Sequence, residues 1–125
     1  MVGFGGIPNF TEFNAQGQVI YDAQLPRGEN SYRVYRLPWS AQPTTPPALV
    51  VKAGSAYASW NGATTVVSWQ LLAGPSATQL APVAIVPRSG FETAIPAPAA
   101  ASYQVRALSA SGKALGASTA VAASG

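Results

Sequence analysis

The chain contains no cysteine and no histidine, and only 9% of its residues are charged. Without cysteine there is no disulfide and no thiolate nucleophile. Without histidine the most frequent general base and metal ligand are missing as well. The four acids, Glu12, Asp22, Glu29 and Glu92, are scattered, and no spacing brings two of them to one site as glycoside hydrolysis requires. The seven cations run from Arg27 to Lys113 with no two adjacent. A pI near 9.6 therefore reflects the scarcity of both signs rather than a basic face for nucleic acid. No apolar run approaches the ~18 residues of a membrane span. Met1–Gly6 has neither a basic nor an apolar signal-peptide region, so a signal for secretion is expected to lie outside these residues. The expectation is a chain that is not an enzyme by itself, with no cofactor, no metal, no nucleic acid and no membrane span.

What is present argues for β-structure. Of the 48% hydrophobic residues in 125 positions, alanine supplies 24, leaving enough larger side chains for one modest core. Twelve glycines and 11 prolines favour turns over long helices. Residues 1–39 hold seven of the 12 aromatics and three of the four acids. They read as an antiparallel meander. Val2-Gly3-Phe4-Gly5 resembles a strand entered part-way, and Phe10–Phe13 and Gln18–Ala23 form a hairpin around Asn14-Ala15-Gln16-Gly17. Tyr32–Leu37 alternates strictly and predicts a further strand, with Tyr32, Val34 and Arg36 on one face.

Residues 40–47 read as a proline-rich linker, since Pro43, Pro46 and Pro47 disfavour helix and ladder pairing. From 48 to 121 strand and turn signals recur every 8–12 residues or so, the rhythm of a two-sheet sandwich. Seven strands are expected: Ala48–Lys52, Ser55–Trp60, Val66–Leu72, Leu80–Val86, Phe91–Ile95, Tyr103–Ser109 and Ala114–Val121. Their turns include Asn61–Thr64, Ala73–Ser76 and Ala110–Lys113, and 122–125 is expected to fray.

Two resemblances follow. Ala56–Asn61 with Val67–Leu71, and Tyr103–Gly112, resemble strands of a fibronectin type III module. That resemblance implies a core role for Trp60 and Trp69 and a tyrosine corner at Tyr103, which would bond back to the chain upstream. Gly5–Phe13, Val19–Ala23 and Asn30–Trp39, continued by Tyr57–Thr64, Leu72–Gly74 and Gly90–Thr93, resemble the C-terminal part of actinobacterial arylsulfotransferase-like proteins. The resemblance runs from about Val2 to Leu115. It implies a secreted β-propeller whose last, blade-like strands precede a small sandwich. Sulfuryl transfer in that family needs histidine, and none is present here, so no catalytic residue carries over.

The fold expectation is thus all-β: an N-terminal propeller-blade-like meander followed by a seven-stranded fibronectin-III/Ig-like sandwich. The functional expectation is a non-catalytic C-terminal structural or interaction region of a secreted arylsulfotransferase-like protein, with the absent propeller blades as partner. The alternative is a self-contained extracellular module that self-assembles through open strand edges. Trp60, Trp69 and Tyr103 are read as structural, and Phe10, Phe13, Tyr35 and Trp39 as an interaction surface. For Trp39 a wedge between the two segments is favoured over an exposed binding aromatic, and Arg36 is expected to be solvated or paired with Glu12 rather than to hold an anion. Gly3-Phe4-Gly5-Gly6 is no phosphate loop, and Asn9-Phe10-Thr11 fits the glycosylation pattern only in a eukaryotic secretory pathway.

Overall fold

A computed structural model describes residues 1–123, and within them the chain is all-β, with antiparallel sheets and no helix. It divides into two compact units, Met1–Pro38 and the chain from Trp39 onward.

The first unit is a three-stranded sheet in the order β1-β2-β3, formed by β1 (Val2–Gly3), β2 (Asn9–Phe13) and β3 (Val19–Gln24). The β2–β3 turn is set by Asn14, whose side-chain oxygen accepts the N–H groups of Gln16 (3.0 Å) and Gln18 (2.9 Å). Asparagine there supplies local bonds that a longer side chain cannot. The strand expected over Tyr32–Leu37 does not form; only Ser31 makes a bridge, to Gly5. Its neighbour β1 is two residues long, so alternation in sequence meets no ladder to join. The segment instead crosses the sheet face at Gly3, where a Cβ would stand 3.3 Å from Val34 and from the Ser31 hydroxyl.

The second unit holds two sheets. One has the order β4-β5-β8, from β4 (Ala48–Lys52), β5 (Ser55–Ser59) and β8 (Glu92–Pro96). The other has the order β10-β9-β6-β7, from β6 (Ser68–Ser76), β7 (Gln79–Pro87), β9 (Ser102–Leu108) and β10 (Ala114–Ala117), with β11 (Val121–Ala122) also on β9. In β4, β5 and β8 every second residue points inward, as a half-buried strand requires, whereas Leu71, Leu72 and Ala73 are buried in succession in β6. Leu49, Val51, Ala56, Ala58 and Ile95 from the first sheet share one core with Trp69, Leu71, Val105 and Ala107 from the second.

Three sequence expectations are corrected here. Ala73–Ser76 is not a turn but the end of β6, and the chain reverses at Ala77-Thr78. Gly74 permits this, because a Cβ on it would fall 1.8 Å from the Gln79 carbonyl oxygen, and Pro75 sits where the register slips. The single strand expected over Ala114–Val121 is two. Ser118 interrupts it by accepting the Val105 N–H on its hydroxyl (3.1 Å) while that hydroxyl donates to the Thr119 carbonyl (2.8 Å). The tail expected to fray begins ordered: Ala122 pairs with Ser102, and the Ala123 N–H donates to the Ala101 carbonyl (3.2 Å). Residues 124–125 of that expectation lie outside the described residues.

Segment 40–47, expected as a linker, lies within the second unit. The Ala41 N–H donates to the Thr64 hydroxyl (2.9 Å), and the Gln42 amide donates to the Leu115 carbonyl (2.8 Å). Pro47 is buried.

The β4–β5 hairpin turns on Ala53 and Gly54, both with positive φ (47° and 72°). Tight hairpins favour this mirror-image turn, yet alanine is poorly suited to its first position. Ala53→Asn is expected to stabilise the second unit by about 1 kcal/mol, seen as a rise in thermal midpoint. Gly74→Ala is expected to cost about 1–3 kcal/mol, because backbone rather than a yielding side chain occupies the space. A Gly74→Ala midpoint equal to that of the parent chain would contradict the close approach.

Candidate functional site

The three residues read as structural are all buried in the second unit: Trp60 (7% exposed), Trp69 (1%) and Tyr103 (4%). The Trp60 indole N–H donates to the Thr45 carbonyl (2.7 Å), and its ring lies over Gly116, where a Cβ would stand 2.7 Å from it. Trp60 therefore clamps the proline segment and β10 onto the core. Tyr103 accepts the Ala100 N–H (2.9 Å) and donates to the Pro98 carbonyl (2.7 Å), closing the turn that leads into β9. The Trp69 indole nitrogen is buried with no partner among the described residues. Burial of so large a ring contributes about 4–6 kcal/mol. That outweighs the roughly 1–3 kcal/mol cost of the unmet N–H.

Of the residues read as an interaction surface, Phe10, Phe13 and Tyr35 lie in the first unit and Trp39 opens the second. Phe10 is half-buried, and Phe13 (41%), Tyr35 (71%) and Trp39 (77%) are exposed.

Opposed residues in an antiparallel pair share a face, so register sorts the β2–β3 side chains. Phe10 opposes Ala23 and Glu12 opposes Tyr21, which puts Phe10, Glu12 and Tyr21 together. Thr11 and Asp22 oppose each other on the other face, and the Thr11 hydroxyl donates to the Asp22 carboxylate (2.7 Å). Glu12 and Asp22 consequently stand on opposite faces of the sheet, in keeping with the expectation that no two acids share a site.

On the first face the rings of Phe10 and Tyr21 lie 6.2 Å apart and tilted by 36°. The segment after Ser31 crosses this face, and the Arg36 guanidinium pairs with the Glu12 carboxylate. The arginine side chain is 66% exposed, so the pair contributes at most about 1 kcal/mol and ties the segment down weakly. Between segment and sheet lies an open cavity of about 430 Å³ lined by Met1, Phe10, Tyr21, Val34, Tyr35 and Arg36. Arg33 does not share this role; its guanidinium lies over the Tyr32 ring at 5.2 Å.

The least obvious feature in the sequence is that β3, expected as a strand, keeps one edge open. Val19, Ile20 and Tyr21 are 57%, 56% and 49% exposed, and among the described residues β3 pairs with β2 alone. Only the lack of proline and lysine from Gln18 to Gln24 hinted at an open edge. No protein family, curated protein or solved structure matches this chain. No helix among the described residues is long and apolar enough to cross a membrane.

Removing the Tyr103 hydroxyl with Tyr103→Phe is expected to lower stability by about 1–3 kcal/mol, because it strands the Pro98 carbonyl and Ala100 N–H. Denaturant unfolding of the two chains measures this directly. An unchanged midpoint would remove Tyr103 from its closing role.

Proposed function

We propose that the chain is a non-catalytic structural and interaction region that works through the open sheet of its first unit. The carrying observation is β3: a six-residue strand paired along one edge only, its apolar side chains left in water. Three strands, one of them two residues long and one face crossed only by a weakly held segment, bury too little to be stable alone, so such a sheet calls for more β-structure. The sequence resemblance supports placing that β-structure in the propeller of a secreted arylsulfotransferase-like parent, with these strands as part of a terminal blade. The second unit then reads as a fibronectin-III-like sandwich. That reading is supported by its two packed antiparallel sheets, of three and five strands, the core Trp60 and the closing Tyr103. A secreted location belongs to the same proposal.

A second reading is a self-contained extracellular module that assembles through the same edge, and the unguarded sequence of β3 favours it. The intact mass of the native product in its source separates the two. A mass several times 12.8 kDa supports the parent propeller, and a mass equal to this chain removes it.

Hydrogen exchange tests the shared premise. In dilute solution the β2–β3 amides are expected to exchange far faster than those of β6 and β9. Equal protection in a monomer would refute the open-sheet reading.

A further inference from the structure

We infer that the cavity beneath the crossing segment of the first unit is a binding site for a neutral saccharide. The inference goes beyond the open edge, because a strand added at β3 lengthens the sheet sideways and leaves this face as it is. The cavity is held at both ends. Gly3 opposes Phe10 and has no side chain, which lets the segment settle close to the sheet; a Cβ there would stand 3.3 Å from the Val34 side chain. At the other end the Arg36 guanidinium and the Glu12 carboxylate pin the segment to the same face. Between these points Phe10 and Tyr21 line the sheet side and Tyr35 the segment side of a space of about 430 Å³. Small-molecule sites run from about 300 to 1,000 Å³.

The lining sets what a guest must be. The charge of Arg36 is already offset by Glu12, so an anion would have to compete with that carboxylate. A cation would meet the guanidinium, which lines the same space. A wholly apolar guest would strip water from the ion pair without replacing its hydrogen bonds. A pyranose meets all three conditions. It is uncharged, and its C–H groups, slightly positive, suit the negative face of an aromatic ring. Its hydroxyls both donate and accept, which matches a guanidinium that only donates beside a carboxylate that only accepts. Tyr21 is 49% exposed and Tyr35 71%, so both rings keep surface that a sugar can cover.

Saturation-transfer NMR on the full chain, with cellotriose, maltotriose and trigalacturonate as probes, tests this. Transfer to the ring C–H protons of a neutral trisaccharide is expected, unchanged between about 0.05 and 0.5 M salt, a range that screens an ionic contact. Tyr35→Ala should weaken that binding about tenfold, and Tyr35→Trp should restore it, since the ring supplies the contact. Tyr35 is exposed and lies outside the strands, so neither change disturbs the sheet. Tyr32→Ala removes a ring outside the cavity and should leave binding unchanged. Glu12→Gln uncovers the Arg36 charge and should let trigalacturonate bind at low salt, which the parent chain does not. Tighter binding of trigalacturonate than of both neutral sugars by the parent chain would overturn the uncharged guest. No transfer to either neutral sugar, or transfer that survives Tyr35→Ala, would overturn the site. Each of these results leaves the open β3 edge standing, because that edge is read from backbone exchange.

Discussion

A β-sheet has two faces to cover and two edges to pair, and the structure of this chain follows from how each sheet meets that requirement. In the second unit the solution is mutual. Trp69, Leu71 and Val105 from one sheet and Ile95 from the other are essentially without solvent contact, so each sheet covers the inner face of its partner. The remaining polar groups close the ends of this arrangement. Tyr103 seals a turn, Trp60 holds the proline segment, and the Arg88 guanidinium donates to the Ala63 carbonyl (2.8 Å). Ser118 replaces a ladder bond where β10 gives way to β11.

The first unit meets the same requirement only in part. Its hairpin is well specified by the Asn14 turn and by the Thr11–Asp22 hydrogen bond. One face is crossed by a segment held through a largely solvated ion pair, and that crossing leaves an open cavity beneath it. The β3 edge keeps unused backbone groups. Unmet pairing capacity of this kind is directional, because another extended strand is what satisfies it.

The chain thus contains one closed unit and one with an open strand edge. Aromatics behave accordingly. Trp60, Trp69 and Tyr103 are spent on the core, whereas Tyr21, Tyr35 and Trp39 remain in contact with water. Interfaces draw on side chains of the second kind, because large rings bury much area at small cost in side-chain entropy.

Much of this was legible before any coordinates. Period-2 alternation located nine of the strands to within a few residues, and the proline and glycine content argued against long helices. Local rules succeed there because a strand's inward face and a turn's dihedral needs are written in the residues themselves. They failed at Tyr32–Leu37, where alternation found no neighbouring strand, and at Ala73–Ser76, where Gly74 lets the chain run on instead of turning. They also missed the division of the last strand at Ser118 and the docking of segment 40–47. The sequence by itself determined the class of fold, the core aromatics and the scarcity of chemical groups. Tertiary structure alone decided which strands acquired partners, which face each carboxylate took, and that the β3 edge stayed open. Pairing is a property of two segments brought together, and no single segment encodes it.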